Sequence, residues 1–411
     1  MKVRAGMLAA VLLCAATLGS ATPPSPPLWV GSWASSQQIP EERNALPDAD
    51  LHDATLRQVV RVSVGGNRFR VILSNAFGTE PLRIDAAHVA LSLDRATSRI
   101  DPASDRALTF DGAPDVVIPA GASYVSDPLA LHVPALKSLA ITIHLPDAPH
   151  RQTSHPGARA TSWLVHGNQV AAPELTNAKS VEHWFQLAGV EVGAPAGARA
   201  IVTLGDSITD GHGATTNGDD RWPDRLADRL QASPATRNVA VLNHGIGGGR
   251  LLLDGLGPNA LARFDRDVIA QAGVRYLILL EGVNDLGTFT RDAPQSPEAH
   301  AALVGRIIGS YRQIVARARA HGIKAIGTTI LPYGGSDYYH PDALNEADRQ
   351  AINIWVRKPG NFDAVVDFDA VMRDPANPMR MKAMYDSGDH LHPSAMGYRV
   401  MADAIPLGLF R

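Results

Sequence analysis

The chain has 411 residues, 45% of them hydrophobic and 19% charged, with a formal net charge of -3. That length accommodates two domains of ordinary size, and that composition supplies a sizeable core. With no basic run or cluster there is no electrostatic footprint of a nucleic-acid binder, and nothing in the overall charge favours a polyanionic substrate.

In chain order, Lys2 and Arg4 precede an uncharged stretch, Ala5 to Leu18, and Gly19, Ser20 and Ala21 supply small residues for cleavage. This layout predicts a signal peptide over residues 1–21 and a secreted or periplasmic product. The apolar run falls short of the roughly 20 residues needed to cross a bilayer, so no stable membrane anchor is expected after cleavage. Cys14 is the only cysteine and lies inside this segment, so neither a disulfide nor thiol chemistry is expected of the mature chain. Residues 22–27, Thr-Pro-Pro-Ser-Pro-Pro, read as an extended spacer.

Residues 28–192 have a β texture. Leu56 to Val64 and Arg68 to Ser74 alternate imperfectly between polar and apolar side chains, and Gly65-Gly-Asn67 between them predicts a hairpin. Short runs recur at His88–Leu93, Asp115–Ile118, Leu139–Leu145 and Thr161–Val165, the pattern of a β-sandwich. After a hinge at Val192–Arg199, residues 198–411 alternate apolar strands with helical stretches at Trp222–Gln231, Ala260–Ala272, Ala301–His321 and Ala343–Arg357. That alternation predicts an α/β domain, a doubly wound parallel sheet flanked by helices.

The chemistry-bearing segments fall at the carboxyl ends of these strands, where open α/β sheets place their sites. Gly205-Asp-Ser207-Ile-Thr ends the first, and taken alone Ser207 reads as a helix cap. Asn243-His-Gly-Ile-Gly-Gly248 ends the second, its glycines able to bring a backbone N–H close to a carbonyl. Gly282-Val-Asn284-Asp285 ends the third and offers an amide donor for an oxyanion. Asp389-His-Leu-His392 precedes the last helical pattern, and an acid three residues before a histidine can orient its ring.

In that order, Gly-Asp-Ser, Asn-x-Gly-x-x-Gly, Gly-x-Asn-Asp and Asp-x-x-His resemble the four blocks of the SGNH (GDSL-type) hydrolases, with Ile208 in place of the expected leucine. The resemblance implies Ser207 as nucleophile, His392 as base and Asp389 as its orienting acid. It implies an oxyanion hole from the Ser207 and Gly248 backbone and the Asn284 side chain. No cofactor is implied and no metal is assigned, since Asp367 and Asp369 have no suitably spaced partners. No Gly-x-Ser-x-Gly elbow occurs to suggest an α/β-hydrolase.

Rival residues have plainer readings. His390 competes with His392 as base but has poorer spacing from Asp389. His212 and His244 are expected as loop or substrate-facing groups, and Asp206 and Asp285 as loop braces. Tyr333, Tyr338 and Tyr339 are expected to line the pocket.

Gly31-Ser-Trp33-Ala-Ser-Ser36, Arg61–Gly66, Leu73–Gly78 and Ser154-His155-Pro156 are similar to a two-domain subgroup related to xylan-associated arylesterase/acylhydrolases. The N-terminal half is then either a glycan-binding or a structural domain. The expected function is a serine esterase releasing short acyl groups, acetyl above all, from carbohydrate or aryl alcohols, acting on small-molecule or polysaccharide esters. A lipase or thioesterase for longer chains is the main alternative, and a non-catalytic glycan-binding protein a more distant one.

Overall fold

The computed structural model describes residues 28–194 and 197–411. The expected signal peptide, its Cys14 and the proline-rich spacer lie outside the described residues. Among the described residues, no helix is long and apolar enough to cross a membrane.

The N-terminal half is antiparallel and β-rich. One sheet runs Leu28–Ala34, Leu187–Ala194, Gly66–Ser74, with Ser123–Val125 and Leu129–Val133 both pairing with the last of these. The other runs Lys179–Val181, Ser162–His166, Ala54–Arg61, Ser138–Leu145, Ala86–Leu91, Arg106–Ala107. Leu56, Val60, Phe69, Val71, Ile141 and Ile143 belong to the main core. Val59, Ala140 and Trp163 form a second, smaller cluster.

The predicted hairpin is not formed. Ala54–Arg61 and Gly66–Ser74 belong to different sheets, and the glycine pair lies in a corner between them rather than in a hairpin turn. Val62 N–H donates to Lys137 O at 3.1 Å and Leu136 N–H to Val62 O at 3.0 Å, which fixes the corner. A Cβ on Gly65 would stand 2.4 Å from Val133 O, so the close approach requires glycine. The imperfect alternation has a related cause. Arg57 and Gln58 are both buried, with their polar atoms bonded to backbone carbonyls of Ser98, Ala172 and Phe185.

The C-terminal half is a five-stranded parallel sheet ordered Val239–Gly245, Arg199–Gly205, Val274–Leu280, Lys324–Thr328, Ala364–Val366. The strands are nearly continuous apolar runs, as strands covered on both faces must be. The first strand in sequence is second in space, so the connections leave it in opposite directions and open a crevice between the ends of Arg199–Gly205 and Val274–Leu280. Four of the helices are Trp222–Ala232, Pro297–Ala320, Ala343–Arg357 and Ala395–Asp403. The helix expected over Ala260–Ala272 is α-helical only to Phe264, then widens into a π turn over Asp265–Ile269.

The two halves share one continuous hydrophobic core. Val239–Gly245 is an edge strand of the parallel sheet, and edges left bare invite pairing with other chains. Here Val241 N–H donates to Ser63 Oγ at 3.0 Å, while Ser63 Oγ donates to Ser32 O at 2.6 Å. Gly31 packs so tightly that an added Cβ would stand 2.8 Å from Leu242 Cδ1.

Candidate active site

Ser207 opens a single helical turn, Ser207–Asp210, at the end of Arg199–Gly205. Asp206 caps that turn, its Oδ1 accepting Ile208 N–H at 2.9 Å, and Gly211 stops it in the left-handed region with φ of 96°. Gly205 admits the turn because a Cβ there would meet Thr209 Oγ1 at 2.1 Å. The cap reading fits Asp206, one residue before the serine. Ser207 faces a cavity of about 900 Å³ that Gly248, Asn284, Asp389 and His392 also line.

Ser207 Oγ stands 2.8 Å from His392 Nε2, and His392 Nδ1 stands 2.6 Å from Asp389 Oδ2. The carboxylate offers only acceptors, so the Nδ1 proton faces it and Nε2 is left to accept from the serine hydroxyl. Asp389 is fixed by its other oxygen, which accepts N–H bonds from Leu391 at 3.0 Å and His392 at 2.8 Å. Burial acts to raise the Asp389 carboxyl, but the hydrogen bonds from the His392 ring and backbone outweigh it and hold the group well below the usual carboxylate range.

Opposite stand three donors. Ser207 N–H and Gly248 N–H have no hydrogen-bond acceptor among the described residues, and Gly248 has φ of 67°. Asn284 Nδ2 donates one proton to Gly249 O at 2.8 Å, which leaves the second free. Tyr339 donates its hydroxyl to Asn284 Oδ1 at 2.5 Å, fixing which way the amide faces. Asp285 braces the same loop by accepting N–H bonds from Leu251 at 2.9 Å and Leu252 at 3.0 Å. Burial raises its carboxyl to about 6, and likewise that of Asp206 to about 7.

Other expected residues lie elsewhere. His390 Nδ1 is bonded to Asp386 Oδ2 at 2.7 Å, away from Ser207. His244 is neither a loop residue nor substrate-facing. It sits buried on Val239–Gly245 with Nδ1 3.1 Å from Ser36 Oγ, because the strand runs three residues beyond its apolar stretch. Tyr338 and Tyr339 line the cavity, whereas Tyr333 is buried and does not. Asp367 and Asp369 hold the guanidinium of Arg357, and Asp369 also that of Arg349. Among the described residues His212, Asp389 and His392 bring three possible metal-ligand atoms within 4.8 Å of one another, but two of them belong to the chain of bonds ending at Ser207.

One expected residue has an unforeseen contact, and two supports were not foreseen at all. His212 lines the cavity and packs on His392 with ring centroids 4.0 Å apart. Burial lowers its imidazole to about 4, helped by the charges of His392 and Arg159. Beneath the serine, buried Arg263 donates to Gly205 O at 3.0 Å and His244 O at 2.6 Å while paired with Asp267 and Glu281. Finally His155, from the N-terminal half, bonds Asp210 Oδ1 through Nε2 and Ser36 O through Nδ1. Only Glu281 left a local signal, a carboxylate directly after an apolar strand. The others depend on long-range folding.

Residues 203–400 match the GDSL-like lipase/acylhydrolase family. Similar solved structures include a GDSL-like lipase from Bacteroides thetaiotaomicron (20% identity, covering 50% of this chain and 85% of that one, TM-score 0.37). They also include an acetylxylan esterase from Geobacillus stearothermophilus (22% identity, 52% and 94%, TM-score 0.38). A third is an enzyme from the Lake Arreo metagenome (20% identity, 53% and 96%, TM-score 0.38). Among curated proteins none matches the chain.

Proposed function

We propose that this chain, a carboxylic ester hydrolase whose residues 203–400 match the GDSL-like lipase/acylhydrolase family, uses Ser207 as its nucleophile. The observation that carries this is the unbroken chain of bonds from Ser207 Oγ to His392 Nε2 and from His392 Nδ1 to Asp389. Ser207 Oγ attacks the ester carbonyl carbon as its proton passes to His392 Nε2, and Asp389 stabilises the imidazolium. The tetrahedral oxyanion is received by the Ser207 and Gly248 N–H groups and by the free proton of Asn284 Nδ2. His392 then gives its proton to the leaving alkoxide, and the acyl-serine is hydrolysed by a water activated in the same way.

The substrate in this reading is a short acyl ester, acetyl above all, of a carbohydrate. The cavity is open, about 900 Å³, and its wall sets the polar Asn284, Thr288 and Asp337 and the rings of Tyr338 and Tyr339 beside Leu256 and Leu391, a mixed lining that suits a sugar ring carrying a short acyl group. The test compares 4-nitrophenyl acetate with the octanoate, then acetate release from acetylated xylan with hydrolysis of a triglyceride, in wild type and Ser207→Ala. Faster turnover of the long-chain esters overturns the substrate, and turnover surviving Ser207→Ala overturns the nucleophile. Export belongs to the same proposal, on the layout of residues 1–21. A secreted product whose first residue lies before position 20 would count against it.

A further inference from the structure

Resting on the esterase reading of this site, we infer that its preferred ester carries an oxyanion, carboxylate or phosphate, about two helical turns from the scissile carbonyl. The helix Val283–Thr290 leads away from Ser207 and lays Asn284, Thr288 and then Arg291 along the cavity wall. That spacing of four and three residues keeps all three on one face, with Arg291 roughly 10 Å beyond Asn284 along the axis. Arg250, two residues after Gly248, lies against the same wall, its guanidinium 3.5 Å from Thr288 Oγ1.

Three guanidiniums reach this end of the cavity, and none of them is held in a buried ion pair among the described residues. Arg250 bonds two neutral oxygens, Thr288 Oγ1 and Asp254 O, and has no ion-pair partner among the described residues. Arg291 has Asp292 at 3.2 Å, but that carboxylate is 82% exposed and well screened. Its NH1 donates to Tyr338 OH, which holds the guanidinium over the cavity mouth. Arg43, from the N-terminal half, adds a third guanidinium, partly offset by Glu41 at 3.5 Å. Against these stand Asp337 and Asp389 on the cavity wall, with Asp389 already committed to His392, and Asp254 and Asp285 near Arg250, with Asp285 committed to the Leu251 and Leu252 N–H groups. Guanidinium forks suit carboxylate and phosphate oxygens, and a sugar-sized substrate is long enough to reach from Asn284 to Arg291.

The test measures acetate release from matched pairs. Acetylated methyl glucuronide is compared with its uncharged methyl ester, and acetylated glucose 6-phosphate with acetylated glucose. At low ionic strength kcat/KM is expected to favour the charged member of at least one pair by about tenfold, and 0.5 M salt to shrink that ratio. Arg250→Gln and Arg291→Gln should each bring the ratio toward one. The pair that shows the preference separates carboxylate from phosphate recognition. Equal rates within both pairs, or a preference that neither substitution alters, overturn this inference alone. Absence of Ser207-dependent turnover of every ester overturns the esterase reading as well.

Discussion

His155 Nε2 meets Asp210 Oδ1 at 2.9 Å, so a side chain of the N-terminal half is bonded to the helical turn that Ser207 begins. Both residues are buried, and Gly157 packs so closely that a Cβ there would stand 1.9 Å from Asp210 Oδ2. Removing one partner of a buried, hydrogen-bonded pair of this kind typically costs about 3–5 kcal/mol. His155→Ala should therefore lower stability by that order in urea unfolding, and kcat with it. A variant as stable and active as wild type would show that the pair does not hold the turn.

Asp389→Asn should leave the fold intact and lower kcat by about 10⁴-fold, because the amide permits the wrong histidine tautomer. Steady-state rates with 4-nitrophenyl acetate, alongside circular dichroism, check this. A loss below tenfold would mean that another group orients His392.

Tyr339 acts through Asn284. Tyr339→Phe removes the hydroxyl that fixes the amide and should cost about 1–2 kcal/mol of transition-state stabilisation, read as a fall in kcat at nearly constant KM. Asn284→Ala, which removes the donor itself, should cost about 2.7–4 kcal/mol. If Tyr339→Phe proves as damaging as Asn284→Ala, the tyrosine has a role of its own.

His212 should remain neutral well below the range in which free histidine titrates, with a midpoint near 4 by NMR. Burial is the first cause and the charges of His392 and Arg159 the next, so Arg159→Met should raise the midpoint. Arg159 NH2 stands 3.3 Å from His212 Nδ1 and can only donate, so it also fixes the proton on Nε2. An unchanged midpoint in Arg159→Met would remove the arginine from this account.

Stability should respond to pH through His244, which burial lowers to about 4. Between that value and about 6.5 the unfolded chain takes up a proton that the folded chain does not. The contribution is therefore complete above about pH 6.5 and lost as pH falls, by about 3 kcal/mol on reaching pH 4. Asp206 and Asp285, both raised, act in the opposite sense as pH rises from about 4 to 7, so the measurement is a difference. The stability advantage of wild type over His244→Gln should shrink steadily from pH 7 to 4.5. A difference independent of pH would place His244 outside the linkage.

What the sequence revealed of this molecule follows the range of the forces concerned. The parallel sheet was legible because a strand such as Tyr276–Leu280 is covered on both faces and so is apolar throughout. Its loops were legible because Gly205, Gly248 and Gly282 mark sharp changes of direction next to polar side chains. The hairpin at Gly65 was misread because a glycine pair signals a turn without saying which sheet the chain enters next. Arg263 was not singled out, and the roles of His155 and Arg250 were not legible, since the partners Glu281, Asp210 and Thr288 lie 18, 55 and 38 residues away and local patterning is silent about them.

The Ser63 hydroxyl, bonded at once to Ser32 O and Val241 N–H, limits the modularity of the molecule. Excision of residues 198–411 would bare the Val239–Gly245 edge and the Leu242 surface under Gly31, so the liberated fragment should self-associate. A chimaera with a foreign β-rich half would need a small hydroxyl residue opposite position 241 and a glycine opposite position 242. The seam between the halves thus narrows which partners evolution or engineering could exchange there.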